Sequence, residues 1–363
     1  MAAVVQGTRS APRAQSTLVS GRLPNWAPWA ILAGSIVLSV AFFAIVAASN
    51  GSEFSFAGAA VVAAVVDVVA MVTISALAEG RRRATDRFVT AIVIGAFLIA
   101  MAPLVSVTWT VIAAGLPRFD LEFFTHSMRS VNGPGGGALH AIMGTLQITL
   151  VSTLISVPIG LLTSIYLVEY GRGRLAQAIT FLVDVMTGIP SIVAGLFAFA
   201  LFTVIVGPRA QSGLAGAIAL SVLMIPVVVR SSEEMLRIVP NELREASYAL
   251  GVPKWATVMK VVLPTSIAGI ATGVVLAIAR VIGETAPLLL AAGFTNNMNY
   301  NMLEGPMQTL PLFVYTSYRS SGGMIQEDID RAWTGALVLI LIVLALNLIA
   351  RLIAKLFAPK TGR

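Results

Sequence analysis

Eight long apolar stretches, separated by short polar segments, account for most of this sequence. A helix that crosses a bilayer needs about 20 mostly apolar residues, whereas barrel strands alternate and are about half as long. Apolar residues make up 57% of the 363-residue chain and charged residues only 11%, too few charges to cover a soluble surface. The sequence therefore predicts an all-α fold, a polytopic transmembrane helical bundle of about eight spans. The candidate spans are residues 29–48, 57–78, 88–114, 144–168, 175–206, 214–229, 266–292 and 333–357.

Residue types used for metal binding or covalent catalysis are scarce. The chain has no cysteine, only two histidines, His126 and His140, and no His-Glu-x-x-His segment. We therefore predict no metal site and no catalytic residue, and the sequence disfavours a membrane-embedded enzyme. The formal charge of +7 does not indicate nucleic-acid binding, because the placement of basic residues between the spans is more informative than their sum.

The basic residues are distributed unevenly between alternate segments. If the N-terminus is cytoplasmic, eighteen of the 24 Lys and Arg residues lie in inside segments, five lie in outside segments, and Arg280 lies within a span. Inside loops of membrane proteins are enriched in Lys and Arg, so both termini are predicted to be cytoplasmic. Residues 1–28 form a long polar lead before a span-sized apolar run, which predicts an uncleaved anchor rather than a signal peptide.

The chain is predicted to have two parts. Residues 1–87 form an N-terminal extension with two spans, and residues 88–363 form a domain with six spans; the charged stretch 79–87 is the boundary. Residues 132–137, Asn-Gly-Pro-Gly-Gly-Gly, predict a flexible connector. Asp67 lies inside the second span, where a contact within the helix bundle is favoured over a role in a relay.

Two of the apolar stretches carry irregular or charged residues. One contains Gly188 and Pro190, and proline removes a helix hydrogen bond, so a broken helix is predicted there. Such a break suits a transport path or a simple irregularity of packing. The span 266–292 contains Arg280 and Glu284, which would share one helix face at this spacing. A charge at mid-bilayer costs at least about 2.5–3.5 kcal/mol, so either an internal ion pair or an anion path is indicated.

The longest predicted inside loop, residues 230–264, carries a specific motif. Its pattern predicts two short amphipathic helices, 232–250 and 253–263, with a stop at Gly251. The spacing resembles the EAA loop of ABC importer permeases, with Ser and Val in place of Ala and Ile, although an unrelated cytoplasmic hairpin is the alternative. The resemblance implies a coupling helix that contacts a separate ATPase. The implied coupling residues are Glu245, Ala246, Ser247, Gly251, Leu263 and Pro264.

A second resemblance concerns the charged span. Residues 279–288, Ala-Arg-Val-Ile-Gly-Glu-Thr-Ala-Pro-Leu, are similar to the corresponding run of phosphate ABC transporter permeases of the PstA type, and residues 144–146 and 187–197 agree. The resemblance covers about residues 88–357 and implies the ABC importer permease fold. It does not cover the first two spans. The residues implied to line the substrate path are Arg280, Glu284 and Thr285.

This resemblance also implies a set of partners in the bacterial cytoplasmic (inner) membrane. They are a sister permease of the PstC type, a homodimeric ATPase of the PstB type and an extracytoplasmic phosphate-binding protein of the PstS type. The chain lacks a Gly-x-x-x-x-Gly-Lys-Ser/Thr motif, so ATP and magnesium are expected on the ATPase, with no cofactor bound here. Membrane lipid is an expected contact and nucleic acid is not.

The resemblance leaves two alternative functions. A permease for another oxyanion, such as sulfate or molybdate, would share the EAA loop but should lack the run at 279–288. A secondary anion transporter would be expected to show internal repeats, and none is convincing here.

Overall fold

The computed structural model describes residues 23–51, 53–131, 133–208, 210–320 and 326–357. Within these ranges the chain forms fourteen α-helices and no β-strand. The helices are α1 (Ala27–Asn50), α2 (Phe56–Ala78), α3 (Arg81–Gly115), α4 (Leu121–Thr125), α5 (Leu139–Ile165), α6 (Gly173–Thr187), α7 (Ser191–Ile205), α8 (Gly213–Ile238), α9 (Asn241–Ala249), α10 (Lys254–Thr257), α11 (Leu263–Val281), α12 (Ala286–Ala291), α13 (Leu310–Ser320) and α14 (Gln326–Phe357).

The helices confirm the predicted class of fold. In the described part of the chain, seven are long and apolar enough to cross a membrane, and α6 with α7 gives an eighth if that bent pair is one span. Two π-helical turns extend these helices: Tyr166–Tyr170 follows α5, and Val258–Val262 joins α10 to α11. The candidate span at 266–292 differs from the observed helix, which runs from Lys254 to Val281.

The described residues divide into two compact units, one ending at Val107 and the other beginning at Thr108. The predicted boundary after residue 87 stays a prediction. The polar lead at residues 1–28 falls mostly outside the described residues, which begin at Leu23, and the apolar run predicted to be the anchor forms α1. That this anchor is uncleaved stays a prediction. In the first unit, Asp67 lines a cavity of about 900 Å³, and its Oδ1 atom is buried with no hydrogen-bond partner among the described residues.

Glu79 organises the turn between α2 and α3. Its carboxylate accepts hydrogen bonds from the Leu23 backbone N–H, the Ser75 hydroxyl and the Arg87 Nε–H, each at 2.9 Å. Only 3% of the Glu79 side chain is exposed. The hydrogen bond from Arg87, followed by that from Leu23, lowers the pKa of Glu79 to about 2. The carboxylate therefore stays charged at any physiological pH.

The Glu79 contacts predict a pH-dependent stability. Because the pKa is lower in the folded state, their contribution is present above about pH 4.5 and is lost as the pH falls towards 2. Glu79→Gln should unfold at a lower temperature than the unmodified protein at pH 7, and the difference should shrink at pH 3. Thermal unfolding of both detergent-solubilised proteins measures this. An equal difference at the two pH values would contradict the role of the charge.

The core of the second unit forms where α5 and α8 pack together. Ser152 on α5 and Ser221 on α8 are buried, and their hydroxyl oxygens lie 3.3 Å apart. The Ser221 hydroxyl also donates to the Ala217 carbonyl at 2.8 Å, which satisfies it within its own helix. Small polar residues let transmembrane helices approach closely. Larger apolar side chains, including Ile148 and Met224, fill the space beside these serines.

The glycine-rich segment 132–137 does not form the predicted flexible connector. Residue 132 lies outside the described residues, but the rest of the segment is held by two arginines. Arg331, only 2% exposed, donates to the Gly135 carbonyl at 2.7 Å. Arg118 donates to the Gly136 carbonyl at 2.8 Å. Buried guanidinium groups require acceptors, and the glycine carbonyls supply some of them, so these contacts hold the segment in place.

Candidate functional site

The broken helix predicted at Gly188 and Pro190 lies between α6 and α7. α6 ends at Thr187, α7 begins at Ser191, and the two axes differ by 107°. Pro190 adopts an extended ψ of 135° and cannot donate a helical hydrogen bond, so the chain changes direction before the next helix starts. The break leaves the start of α7 at a polar pocket.

Arg280 and Glu284 do not share a helix face, contrary to expectation. Arg280 lies in the last turn of α11, which ends at Val281, and Glu284 lies in the connection to α12. Gly283 has a low helix propensity, and Pro287 in the first turn of α12 cannot donate to a preceding carbonyl, so one continuous helix is disfavoured. Among the described residues, neither charged side chain forms an ion pair or hydrogen bond with the other.

A pocket of about 190 Å³ nevertheless brings these charged groups to the helix break. Arg280 is exposed and Glu284 is half-buried, in the described chain alone. The pocket is lined by Arg280, Glu284, Thr187, Ile189, Ser191 and Pro226, among others. Thr285 is adjacent in sequence but does not line it. Thr187 and Ser191 fall within the run 187–197 noted in the sequence, but they were not predicted as site residues. Pro226 was not predicted either, although a proline inside α8 was a visible signal.

This pocket has the chemistry of a weak anion site. The Arg280 guanidinium is planar and offers several N–H donors, which suits a tetrahedral oxyanion. The N-terminus of α7 at Ser191 adds a positive helix-dipole end and a hydroxyl. The Glu284 carboxylate repels an anion, so it limits the affinity. One water molecule occupies about 30 Å³ in the liquid, so a pocket of about 190 Å³ holds only a few such molecules. This volume suits a small ion rather than an extended substrate.

Beside the pocket, α7 and α12 approach each other closely. A Cβ atom added at Gly195 would lie 2.5 Å from the Pro287 Cα atom. Backbone cannot yield as a flexible side chain can, so glycine is required here. The contact holds α12, and with it the connection that carries Glu284, against α7.

The segment predicted to contact an ATPase differs in its helices from the expected pair. The expected helix 232–250 is divided between α8 and α9, because Pro240 cannot continue α8. The expected helix 253–263 does not end at Leu263 and Pro264. It continues through the π-helical turn into α11, and Pro264 is tolerated in the first turn of α11 after that turn.

The predicted coupling residues fall into three groups. Glu245 and Ala246 are exposed on α9, and Gly251 is exposed in the turn that follows, with a left-handed φ of 75°. Ser247 is instead buried, and its hydroxyl lies 2.8 Å from that of Thr257. Leu263 and Pro264 lie farther along the continuous helix. The exposed apolar side chains Leu250 and Trp255 flank the same turn; sequence spacing alone did not identify them.

Comparison with known proteins decides the family. The family described as "Binding-protein-dependent transport system inner membrane component" matches residues 156–363 of this chain. The chain belongs to this family. It is therefore a non-catalytic, multi-span membrane component of a transport system, a permease.

Curated relatives cover most of the permease. "Phosphate transport system permease protein PstA 1" of Mycobacterium tuberculosis (strain ATCC 25618 / H37Rv) is 46% identical over 276 residues, which are 75% of this chain and 88% of the relative. "Phosphate transport system permease protein PstA" of Pasteurella multocida (strain Pm70) is 43% identical over 249 residues, 68% of this chain and 86% of the relative. These matches confirm the predicted resemblance to phosphate ABC transporter permeases of the PstA type.

Solved structures of ABC transporters share the fold of the permease. A bacterial alginate ABC transporter in complex with an alginate pentasaccharide-bound periplasmic protein matches with a TM-score of 0.56 and 15% identity, over 77% of this chain and 97% of that chain. The MetNI methionine ABC transporter, in inward-facing conformations, matches with a TM-score of 0.51 and 22% identity, over 61% and 95%. The predicted ABC importer permease fold is confirmed.

The contact at Gly195 gives a prediction for the permease. Gly195→Ala should destabilise it by about 1–3 kcal/mol, the usual cost of overpacking, because the new methyl group meets the Pro287 backbone. Gly188→Ala is the matched control, since a Cβ atom there would lie 3.5 Å from its nearest neighbour, the Val185 carbonyl oxygen. Thermal unfolding in detergent compares the two. Equal midpoints for both variants would contradict the close approach.

Proposed function

We propose that this chain is the transmembrane permease subunit of an ATP-driven importer of inorganic phosphate and forms half of the translocation path. The observation that carries this proposal is the pocket at the α6–α7 break, which is lined both by Arg280 and by Ser191 at the N-terminus of α7. It is an anion-compatible site in a chain whose relatives are named phosphate transport permeases. A weak site suits a transporter, because a tight site would hold the ion.

The substrate residues in this proposal are Arg280, Glu284 and Thr285. Arg280 binds the oxyanion. Glu284, across the same pocket, keeps its residence short by repulsion. Thr285 lies next to Glu284 and outside the pocket lining, so its side chain reaches the ion only if the α11–α12 connection moves. The break at Gly188 and Pro190 supplies the change of direction that opens the start of α7 to the ion.

The coupling surface in this proposal is α9 with the turn that follows it. Glu245, Ala246 and Gly251 are exposed there, and Leu250 and Trp255 add apolar area. Ser247 holds α9 to α10 from inside, and Leu263 and Pro264 continue the connection towards Arg280. The partners are a PstC-type sister permease, a homodimeric PstB-type ATPase that carries ATP and magnesium, and a PstS-type phosphate-binding protein. Both termini are cytoplasmic, as the distribution of basic residues predicts.

Purification of the intact complex tests the proposed function. A mild-detergent pull-down from native membranes should recover an ATPase and a second permease with this chain. After reconstitution with the phosphate-binding protein, phosphate should stimulate ATP hydrolysis, and sulfate and molybdate are the control anions. Stimulation by sulfate or molybdate instead would identify another oxyanion importer. If the chain purifies alone and its anion transport is driven by the gradient of another ion, it is a secondary transporter and the proposal fails.

A further inference from the structure

Arg244, on the short helix α9, has a guanidinium group with contacts at all three of its nitrogen atoms. Its Nε–H donates to Glu169 Oε1 at 3.0 Å, and Nη2 lies 2.9 Å from the same oxygen. Nη1 donates to the Val239 carbonyl at 2.6 Å and to Asn241 Oδ1 at 3.2 Å, while Nη2 donates to the Leu236 carbonyl at 2.9 Å. A guanidinium has five N–H donors, and four of them donate hydrogen bonds here, while the ion pair with Glu169 adds a fifth contact.

The ion pair between Arg244 and Glu169 is shielded from water. The exposed fraction is 12% for the Arg244 side chain and 4% for the Glu169 side chain. Exposed ion pairs contribute little, because water screens the charges and the side chains lose entropy. A buried pair whose remaining donors are satisfied fixes both geometry and distance, and loss of one partner leaves a buried charge. The pair is therefore suited to hold α9 in one orientation.

The contacts of Arg244 join three parts of the fold. Glu169 lies on the π-helical turn that ends α5, Leu236 lies in the last turn of α8, and Arg244 itself lies on α9. On its other side, α9 is held by the hydrogen bond between Ser247 and Thr257, which leads to α11. A nine-residue helix is too short to be stable alone, so its position is set by these contacts.

The same helices reach the anion pocket. Leu236 on α8 is ten residues from Pro226, which lines the pocket, a separation of about 15 Å along a helix. α5 packs along α8 through the buried Ser152 and Ser221. A displacement of α9 that is carried into α5 and α8 together would thus move one wall of the pocket.

We propose that Arg244 and Glu169 are positioning residues that transmit the displacement of α9 to α5 and α8. The inference rests on the proposed function, since it requires an ATPase that moves α9. It assigns the pair a role distinct from docking: the exposed residues of α9 receive the ATPase, and the buried pair carries the movement inwards. Without the pair, the ATPase would still hydrolyse ATP, but hydrolysis would no longer move the pocket wall.

The test measures transport per ATP in the reconstituted complex with its binding protein. Arg244→Gln, near-isosteric Glu169→Gln and the double variant are compared with Arg237→Gln, which removes the exposed partner of Glu233 on the neighbouring helix α8. The ATPase should co-purify with every variant. Phosphate uptake per ATP should fall at least about tenfold in both single variants, equivalent to about 1.4 kcal/mol, and should be unchanged in the control. The double variant should lose no more than either single one, because the pair acts as a unit.

A second measurement does not depend on activity. The chain has no cysteine, so cysteines for spin labels can be introduced at exposed Tyr248 on α9 and exposed Leu162 on α5. The distance is measured in the full chain without the ATPase, so that the label on α9 does not interfere with docking. The distance distribution should be narrow with the native Arg244–Glu169 pair and in Arg237→Gln, and it should broaden in Arg244→Gln. A narrow distribution in Arg244→Gln would overturn the proposal.

The transport results separate the proposal from its alternatives. Normal uptake per ATP in an assembled Arg244→Gln complex would overturn it. Loss of the ATPase from the variants would also overturn it, because the pair would then serve only docking. If the unmodified complex shows no phosphate-stimulated ATP hydrolysis, the proposed function fails and this inference fails with it. If the unmodified complex is active and the variants keep normal phosphate uptake per ATP, only this inference is refuted.

Discussion

Arg280→Gln is expected to lower phosphate uptake by about ten- to a hundredfold while the importer still assembles. A hydrogen bond from a charged group contributes about 1.5–3 kcal/mol, and each 1.4 kcal/mol corresponds to a factor of ten. Arg280 forms no ion pair or hydrogen bond within the described part of the chain that its loss would disrupt, and its side chain is exposed at the pocket. The effect should therefore fall on transport and not on folding.

Uptake by the reconstituted complex measures this prediction, with co-purification of the ATPase as the check on assembly. Arg280→Lys keeps the charge but not the planar group of donors, and it should retain more activity than Arg280→Gln. Arg129→Gln, an exposed arginine outside the pocket, is the matched control and should transport normally. Normal uptake by assembled Arg280→Gln would exclude Arg280 from the path.

Gly251→Val is expected to uncouple the ATPase from the permease, with uptake reduced by about tenfold. Gly251 has a left-handed φ of 75° in the turn after α9, where a residue with a side chain costs about 1–2 kcal/mol and a β-branched one is an outlier. A new Cβ atom would meet no atom within 4 Å, so the strain lies in the backbone alone. The turn should change shape, and α9 should no longer present its exposed residues correctly.

Gly251→Asn separates backbone strain from the size of the side chain. Asparagine is close to valine in size but tolerates left-handed φ, so this variant should keep most of its uptake. Uptake and co-purified ATPase are measured for both variants in the same preparation. Equal losses in the two variants would mean that any side chain at this position blocks docking, and the conformation of the turn would not be the cause.

The spans were predictable because they depend on local composition. About 20 apolar residues suffice to identify a transmembrane helix, and one proline with a neighbouring glycine identified the break between α6 and α7. The end of α11 was not predictable in the same way. Apolar composition continues through 266–292 and hides the local signals for the interruption, Gly283 and Pro287; the position of α12 after it depends on the packing against α7 at Gly195.

In the coupling segment too, features set by local sequence were predictable and features set by distant partners were not. Motif spacing located Glu245 and Gly251 on the exposed surface, but it did not distinguish Ser247, which faces inwards to Thr257. Arg244 stands beside the motif and carries no signal of its own. Its partner Glu169 lies 75 residues earlier in the chain, and only the folded structure brings the two together.

Distant partners also explain why the glycine-rich segment was predicted wrongly. Gly, Pro and Asn at 132–137 are typical of a mobile linker, and local composition contains no sign of restraint. The restraint comes from Arg331, 196 residues beyond the Gly135 carbonyl that accepts its hydrogen bond. Sequence patterns describe how flexible a segment is in isolation. In the fold, a buried arginine that is distant in sequence restrains this segment.

In the proposed importer, the continuous helix from Lys254 to Val281 would act as a lever. Its 28 residues span about 42 Å at 1.5 Å per residue, so a rotation of roughly 5° about one end moves the other by about 4 Å. The α9 turn is at one end and Arg280 is at the other. If the partner ATPase acts close to the pivot at the α9 end, a small displacement there becomes a larger displacement of Arg280. The force available at Arg280 is correspondingly smaller. A small force is sufficient if the ion at Arg280 is weakly bound, as the proposed function requires.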